Sequence, residues 1–223
     1  MNSRPIAPPD RVVCYVDGFN LYFGLRERGL RRYDWLNVRR LAETILRPNQ
    51  ALVETKYFTA RISGAAPGDP PRLATRLNTK RRRQSDFLEA LETVPNLRIY
   101  EGHYLAKPVT CRNCGASWRS HEEKMTDVNI ATEMLVDALH DRFDTALLVS
   151  ADSDLVPPVR ALLQNFSGKR AVVAFPLGRH SGQLRQAASA CFTIGRQKYK
   201  ASQFPDQVVK ANGHVLRRPI AWQ

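Results

Sequence analysis

The sequence predicts one α/β domain in which a mostly parallel central sheet carries helices on both faces. Short apolar, β-branched runs alternate along the chain with segments of helical periodicity, in the order β-α-α-β-α-β-α-β-α-β-α-β. Two of these runs, 146–149 and 171–175, show no polar alternation, which is typical of strands covered on both faces. A chain of 223 residues, 43% of them hydrophobic, is long enough to bury such a core.

The first half of the chain predicts three strands and three helices. The strands are 11–16, 52–60 and 97–105, and the helices are 19–28, 38–46 and 71–92. Gly29 ends the first helix, and Asn37 is placed to cap the second. The loop over 63–71 contains two glycines and three prolines, and Pro71 can open the long third helix.

The second half begins with residues 106–121, which we expect to form an irregular insertion. Thr126 is then placed to cap a helix whose apolar positions are 130, 134, 135 and 139. The remaining strands are predicted at 146–149, 171–175 and 192–194, and the remaining helices at 155–165 and 182–190. The domain therefore spans 11–195, between a disordered leader over 1–10 and a basic, irregular tail over 196–223.

The sequence carries no signal for a membrane or a secretory route. No apolar run approaches the roughly 20 residues that span a bilayer, and residues 1–11 lack the apolar core of a signal peptide. We therefore expect a cytoplasmic protein with no membrane partner. Cys14 and Cys191 lie in or beside apolar strand patterns and are interpreted as buried free cysteines.

Four aspartates are expected to converge at one edge of the sheet. Asp17 follows the first strand, and Asp152 and Asp154 follow the strand that ends near Ser150. In doubly wound sheets the ligand lies beyond the carboxyl ends of the strands. Asp127 lies near a helix start, where backbone N–H groups favour an anion. Each aspartate alone is typical of a cap, but together they predict an oxygen-only site for Mg²⁺ or Mn²⁺ rather than zinc.

Three motifs in the same order make the sequence resemble a known family. Residues 17–20 read D-G-F-N after an apolar strand, and residues 123–128 read E-K-M-T-D-V. Residues 150–155 read S-A-D-S-D-L, with Ala151 and Leu155 in place of glycine and phenylalanine, and Pro157 or Pro158 follows. Together they resemble the NYN domains, a PIN-like nuclease family that includes LabA-type bacterial proteins.

The resemblance implies a Rossmann-like PIN fold and divalent-metal-dependent ribonuclease activity. It assigns Asp17, Asp127 and Asp152 to the acidic metal site and Asp154 to a further acidic position at its edge. It also makes Asn20 a polar residue that orients the first aspartate or the substrate. Ser150 and Ser153 fit either a contact with the site or a helix cap, and we favour the cap.

The formal net charge of +13 and pI near 10.1 favour a polyanionic partner, either nucleic acid or anionic lipid. Basic residues cluster in the predicted helix 71–92, at Lys80, Arg81, Arg82 and Arg83. This run suits either a solvated helix face or a patch that follows a phosphate backbone. Lys124 suits either a phosphate contact or an exposed lysine.

Single-stranded RNA, the expected partner, would add stacking on aromatic side chains. Tyr22, Tyr104 and Trp118 are candidates for that role, although each also suits packing.

The spacing of Cys111 and Cys114 is that of half a zinc site. His103 and His121 could complete a Cys₂His₂ set, or a homodimer could pool two cysteine pairs. A metal-free turn or a redox-labile pair is the alternative.

Two other functions are alternatives to the hydrolysis of RNA. A non-catalytic RNA-binding or regulatory module on the same fold is the main alternative. A phospho-aspartate phosphatase is disfavoured, because that chemistry wants a second aspartate two residues after the nucleophile and Phe19 stands there.

Overall fold

The computed structural model describes residues 8–223, with 105–108 and 118–123 described at the level of the backbone. A seven-stranded sheet in the order β4-β3-β2-β1-β5-β6-β7 forms its centre. Its strands are β1 (Asp10–Asp17), β2 (Gln50–Ala60), β3 (Leu97–Thr110), β4 (Ser117–Lys124), β5 (Thr145–Val149), β6 (Arg170–Phe175) and β7 (Ala190–Thr193).

Six strands are parallel, and β4 pairs antiparallel with β3 at one edge. The predicted α/β class with a mostly parallel sheet is confirmed. The chain winds outward from β1 through β2 to β3, then crosses back to β5 on the other side of β1. The gap between β1 and β5 is therefore the topological switch point, where ligands of such sheets bind.

Helices cover both faces of the sheet. They are α1 (Gly18–Glu27), α2 (Val38–Ile45), α3 (Pro71–Glu92), α4 (Thr126–Leu139), α5 (Val156–Asn165), α6 (Gly182–Ala187) and α7 (Arg196–Ala201). Asn37 caps α2 by accepting a hydrogen bond from the Arg40 N–H at 2.9 Å, and Pro71 opens α3, both as predicted. Across residues 8–223, no helix combines the length and apolarity needed to cross a bilayer.

The side chains of β1 alternate between two hydrophobic cores. Val12, Cys14 and Val16 face the core shared with α1, α2 and α3. Val13 and Tyr15 face the core shared with α4, α5 and α6. Both faces of the strand are thus buried, which explains why its sequence shows no polar alternation.

The predicted irregular insertion over 106–121 is wrong. Strand β3 continues to Thr110, and β4 returns antiparallel in a register that runs from His103–Lys124 to Thr110–Ser117. The turn is closed by hydrogen bonds from the Cys111 N–H to the Ala116 carbonyl and from the Gly115 N–H to the Cys111 carbonyl. Backbone pairing at a sheet edge needs no alternating apolar pattern, so composition did not reveal this hairpin.

The prediction of an irregular tail over 196–223 is also wrong. It forms α7, a hairpin of β8 (Gln207–Val209) and β9 (Val215–Arg217), and a 3₁₀ turn over 220–222. Phe204 and Trp222 pack against the fully buried Trp35, whose Nε1–H donates to the Pro205 carbonyl at 2.8 Å. Because the apolar residues of this segment are spaced irregularly, they gave no periodic signal.

The prediction that a disordered leader extends to residue 10 is wrong at its carboxyl end. Its residues 1–7 lie outside the described residues, and Asp10 already belongs to β1. The Asp10 carboxylate accepts hydrogen bonds from the Thr145 hydroxyl at 2.9 Å and from Gln50 Nε2 at 2.8 Å.

The prediction that Thr126 caps α4 is wrong. The cap residue is Met125, which has a φ of 78° and makes no side-chain capping hydrogen bond.

Candidate metal centre and adjoining cleft

Three of the four predicted aspartates meet beside the switch point. Asp17 is the last residue of β1, Asp152 follows β5, and Asp127 is the second residue of α4. One ligand oxygen from each lies within 4.8 Å of the others. Asp17 is 3% exposed, whereas Asp127 and Asp152 are half-buried, so the group opens to solvent on one side.

Hydrogen bonds from the first turn of α1 and from the residue after β5 hold Asp17 in place. One carboxylate oxygen accepts from the Asn20 N–H at 2.9 Å, and the other accepts from the Ser150 hydroxyl at 2.8 Å. Asn20 in turn accepts from the Ala151 N–H at 3.1 Å, and the Asp152 N–H donates to Ser150 Oγ at 3.0 Å. Asn20 therefore orients Asp17, and Ser150 contacts the site instead of acting as the helix cap that we favoured.

The electrostatics of the group favour a cation. Burial, the largest cause, raises the pKa of Asp17 to about 6, and the negative charges of Asp127 and Asp152 act in the same direction. The hydrogen bonds from Asn20 and Ser150 oppose that shift. The pKa of Asp127 is also raised, first by burial and then by Asp152 and Asp154. A divalent ion would relieve this repulsion, and an all-oxygen donor set fits Mg²⁺ or Mn²⁺.

Asp154 lies outside the three-carboxylate group. Its side chain is exposed, and its N–H donates to an Asp152 carboxylate oxygen at 3.1 Å. It is nevertheless close enough to raise the pKa of Asp127. Asp154 therefore belongs to the rim of the site.

Two glycines allow the site to assemble. A Cβ on Gly18 would lie 2.6 Å from the Tyr57 ring and 2.7 Å from the Phe58 carbonyl oxygen, so a side chain cannot follow Asp17 at this point. A Cβ on Gly102 would lie 2.4 Å from the Lys124 carbonyl oxygen. Lys124 ends β4 three residues before Asp127, so the close approach at Gly102 sets where α4 begins.

The cysteine pair lies far from the predicted histidine ligands. Cys111 and Cys114 sit at the turn between β3 and β4, and His103 lies eight residues back along β3, roughly 26 Å away. His121 pairs with Ala106, five residues from Cys111 and thus roughly 16 Å along the strand. The structure therefore does not bring the predicted Cys₂His₂ set together within one chain.

A cleft between α1 and α3, which we call the aromatic cleft, adjoins the metal centre. It has a volume of about 120 Å³, and Gly18 and Phe19, the two residues after Asp17, form part of its wall. Its aromatic lining comprises Phe19, Tyr22, Phe23, Tyr33, Tyr57, Phe87, Tyr104 and Trp222. Two of the three predicted stacking residues thus lie here, and the side chain of the third, Trp118, lies outside the described residues.

The basic cluster of α3 divides between this cleft and solvent. Lys80 and Arg83 line the cleft, whereas Arg82 is exposed and Arg81 lies against the loop at Gly64. The pKa of Lys80 is lowered by burial and by neighbouring positive charges, chiefly that of Arg26.

Sequence reasoning missed Asp34, which also lines the aromatic cleft. It is 7% exposed, and neither carboxylate oxygen has a hydrogen-bond partner among the described residues. Burial raises its pKa to about 7, although the positive charges of Arg26 and Arg31 oppose the shift. Its position between Tyr33 and Trp35, two residues typical of a core, was the signal that could have revealed a buried carboxylate.

Three comparisons place the chain among known proteins. Residues 11–195 match the NYN domain. The chain is 28% identical over 219 residues to 6-hydroxy-3-succinoylpyridine 3-monooxygenase HspA of Pseudomonas putida (strain DSM 28022 / S16), in a match that covers 84% of this chain but 65% of that relative. A crystal structure of a protein of unknown function from Vibrio parahaemolyticus RIMD 2210633 has a similar fold, with a TM-score of 0.51 and 20% identity over 88% of this chain and 98% of that one.

Proposed function

The chain belongs to the NYN domain family, whose members are generally nucleases of PIN-like fold, and we propose that it is a divalent-metal-dependent ribonuclease. The observation that carries the proposal is the group formed by Asp17, Asp127 and Asp152, whose ligand oxygens lie within 4.8 Å of one another. The group lies at the switch point of the sheet, where a substrate would be expected.

Each residue of the site has a distinct part in this proposal. Asp17, Asp127 and Asp152 would hold Mg²⁺ or Mn²⁺, which when bound supplies an activated water and neutralises charge on the phosphate. Ser150 and Asn20 fix the orientation of Asp17. Asp154, on the rim, would adjust the charge of Asp127 without binding the ion directly.

The basic residues supply affinity for the RNA backbone. Lys80 and Arg83 line the aromatic cleft beside the metal centre, and the whole chain carries a net charge of +13. Lys124 precedes Asp127 by three residues and is a further candidate phosphate contact. Because binding through phosphates releases counterions, affinity for single-stranded RNA should fall steeply as salt is raised.

The test is cleavage of labelled single-stranded and structured RNA with Mn²⁺, Mg²⁺ or EDTA. We expect cleavage with either metal, none in EDTA, and a loss of at least about a hundredfold in rate for Asp152→Asn, since a direct ligand should matter more than an outer-shell residue. Asp206→Asn, at an exposed position in the C-terminal segment, is the matched control and should cleave at the wild-type rate. Full activity of Asp152→Asn, or of the wild type in EDTA, would contradict the proposal.

A non-catalytic RNA-binding module remains the alternative from the sequence. It predicts RNA binding that survives Asp152→Asn and no turnover with any divalent ion. The group of three carboxylates favours the enzyme. Three negative charges that repel one another do not help to bind RNA, whereas they are needed to hold a catalytic cation.

The curated relative supports a second candidate, oxidation of a small aromatic acid. Its name describes a monooxygenase that acts on a pyridine with a succinoyl side chain, although this chain spans only 65% of that relative. A cleft lined by aromatic rings and by Arg26, Lys80 and Arg83 has the chemistry to hold such a planar anion. Consumption of O₂ on addition of 6-hydroxy-3-succinoylpyridine and a reductant would favour this activity, and hydrolysis of RNA alone would favour the nuclease.

A structural zinc ion would need two copies of the chain. Among the described residues, no group of metal ligands includes Cys111 and Cys114. A homodimer that pools two such pairs would supply four thiolates. Zinc at one ion per two chains in metal analysis would support that arrangement, and zinc-free protein would leave a metal-free turn.

A further inference from the structure

We propose that the aromatic cleft takes one nucleobase that bears an amino group on its Watson–Crick edge, and that Asp34 selects it. The inference rests on the proposed function, because the RNA strand is positioned by its phosphate at the metal centre. It assigns a preference among bases, which the three carboxylates do not provide.

The cleft begins where the metal centre ends. Asp17 belongs to the metal centre, and the next two residues, Gly18 and Phe19, line the cleft. Consecutive Cα atoms are about 3.8 Å apart, so the two sites share one short stretch of backbone. A nucleoside attached to a phosphate at the metal centre could therefore place its base in the cleft.

The size and lining of the cleft suit one planar ring. Its volume of about 120 Å³ is similar to the roughly 150 Å³ of an engineered apolar cavity that binds benzene. Tyr22 and Tyr104 line it, and Phe19 packs edge-on against Tyr104 with ring centroids 5.7 Å apart. Proteins that bind single strands stack unpaired bases on such rings.

Cations in the cleft suit the sugar-phosphate part of the same nucleotide. Arg26, Lys80 and Arg83 all line it, and Arg26 donates to the Tyr22 hydroxyl at 2.6 Å. The charge of Arg26 and burial both act against the charged form of Lys80. An anionic group bound here would relieve that crowding of positive charge.

Asp34 supplies the polar contact that distinguishes bases. A buried carboxylate with no partner is unfavourable, and an N–H group from a ligand would satisfy it. The amino groups of cytosine, adenine and guanine can donate to an Asp oxygen. Uracil instead places carbonyl oxygens on both sides of its single N–H, and these would face the carboxylate.

The test compares two single-ring bases of nearly equal size in the full chain. Binding of labelled rC₄ and rU₄ in EDTA is followed by fluorescence anisotropy at pH 8, above the Asp34 pKa of about 7, so that the side chain is a carboxylate. We expect the wild type to bind rC₄ about tenfold more tightly than rU₄, within the range of one good base contact. In Asp34→Asn the ratio should fall toward one, because an amide offers uracil both a donor and an acceptor.

Asp206→Asn, which changes an exposed aspartate outside the cleft, should keep the wild-type ratio. Thermal unfolding of each variant confirms that it is folded. Equal binding of the two oligonucleotides by the wild type, binding of neither, or an unchanged ratio in Asp34→Asn would overturn the inference.

The same design separates this inference from the proposed function. Binding in EDTA requires no hydrolysis, so a preference for rC₄ with no cleavage of any RNA would reject the nuclease and keep the base site. Cleavage with Mn²⁺ but no preference in binding would do the reverse.

Discussion

At the scale of single residues, the molecule holds two kinds of uncompensated carboxylate. Asp17 repels Asp127 and Asp152 at the switch point, whereas the carboxylate of Asp34, in the aromatic cleft, has no hydrogen-bond partner within the part of the chain that the structure describes. A cation at the first place, or a hydrogen-bond donor at the second, would relieve the repulsion or the unsatisfied burial that destabilises the folded chain. Each carboxylate therefore leads to a stability measurement that does not depend on activity.

Mn²⁺ should raise the melting temperature of the wild type but not of Asp17→Asn. An ion that binds only the folded state stabilises it, by about 2.7 kcal/mol at a hundred times its Kd. Asp17→Asn removes one ligand and should lose most of that shift, as measured by thermal unfolding with Mn²⁺ and with EDTA. Asp206→Asn should shift as the wild type does, and an equal shift in Asp17→Asn would show that the ion binds elsewhere.

Asp34 should make the wild type less stable as the pH rises toward neutrality. Its folded pKa of about 7 lies above the unfolded value near 3.8, so the folded state holds more protons between these values and its stability falls as pH increases. The full difference is at most roughly 4 kcal/mol. Urea unfolding in EDTA at pH 5 and pH 8 should show a larger loss for the wild type than for Asp34→Asn, and parallel losses would contradict the assignment.

The two carboxylates also show what sequence could predict at this scale. Asp17 and Asp152 were predictable because each follows an apolar strand and strand ends meet at one edge. Asp34 was missed although its position between Tyr33 and Trp35 indicated burial, because the cleft that it lines is built from distant parts of the chain, including Trp222.

At the scale of elements, α4 connects the edge of the sheet to the metal centre. Its first turn carries Asp127, and its start is set by the close approach of β4 to β3 at Gly102. Its middle is fixed by Lys56 of β2, which lies on the face of the sheet that α4 covers and pairs with Glu133 and Asp137. Periodicity predicted the helix itself, but the register that positions it depends on the hairpin, which composition did not show.

Gly102→Ala should displace the start of α4. A Cβ at this position would lie 2.4 Å from the Lys124 carbonyl oxygen and 3.1 Å from Thr126 Oγ1, so the backbone must shift. Because Asp127 follows directly, we expect at least about a tenfold loss in Mn²⁺ affinity, measured by titration calorimetry. Gly195→Ala, at a glycine with a φ of −72° and no atom within 4 Å of an added Cβ, is the control for the loss of a glycine and should leave the affinity unchanged.

Lys56→Met should strongly destabilise the protein. Lys56 is fully buried, with its Nζ 2.6 Å from an Asp137 oxygen and 2.8 Å from a Glu133 oxygen, and Tyr15 donates to Asp137 at 2.6 Å. Without the lysine, the buried Asp137 loses its nearer cation and retains Arg142, which is half-exposed and 3.4 Å away, so we expect a cost of about 3–5 kcal/mol in the free energy of unfolding.

Arg61→Met is the matched control for Lys56→Met. Arg61 pairs with Glu101 near the surface, where an ion pair is worth no more than about 1 kcal/mol. Urea unfolding of both variants tests the difference, and similar losses would mean that the buried network contributes little.

At the scale of the whole molecule, residues beyond the NYN domain match contribute to one of the two hydrophobic cores. The match ends at residue 195, yet Tyr199, Phe204, Leu216 and Trp222 are buried in the core shared with α1, α2 and α3. The alternation of strands and helices predicted the six parallel strands and helices α1 to α6, but not β4. It did not predict the C-terminal segment, because the short apolar groups there are spaced irregularly and have no period.

A chain that ends at residue 195 should therefore fold poorly. It would expose Trp35, which contacts Phe204 and Trp222. Trp222→Ala is the milder version and should lower the free energy of unfolding by about 3–5 kcal/mol, measured by urea denaturation. Ile220→Ala changes an exposed side chain in the same turn and should cost little, whereas a cooperative, wild-type melting transition for the shortened chain would contradict this prediction.

The two hydrogen bonds that hold Asp17 have a kinetic consequence for ion capture. Since Asn20 and Ser150 already occupy one lone pair on each carboxylate oxygen, the side chain has lost its rotational freedom before any ion arrives. The side chain of Asp17 therefore loses its conformational entropy when the chain folds, and not when the ion binds. Capture should then be paced by how quickly the ion sheds its water shell, which makes Mg²⁺, reluctant to dehydrate, the slow partner.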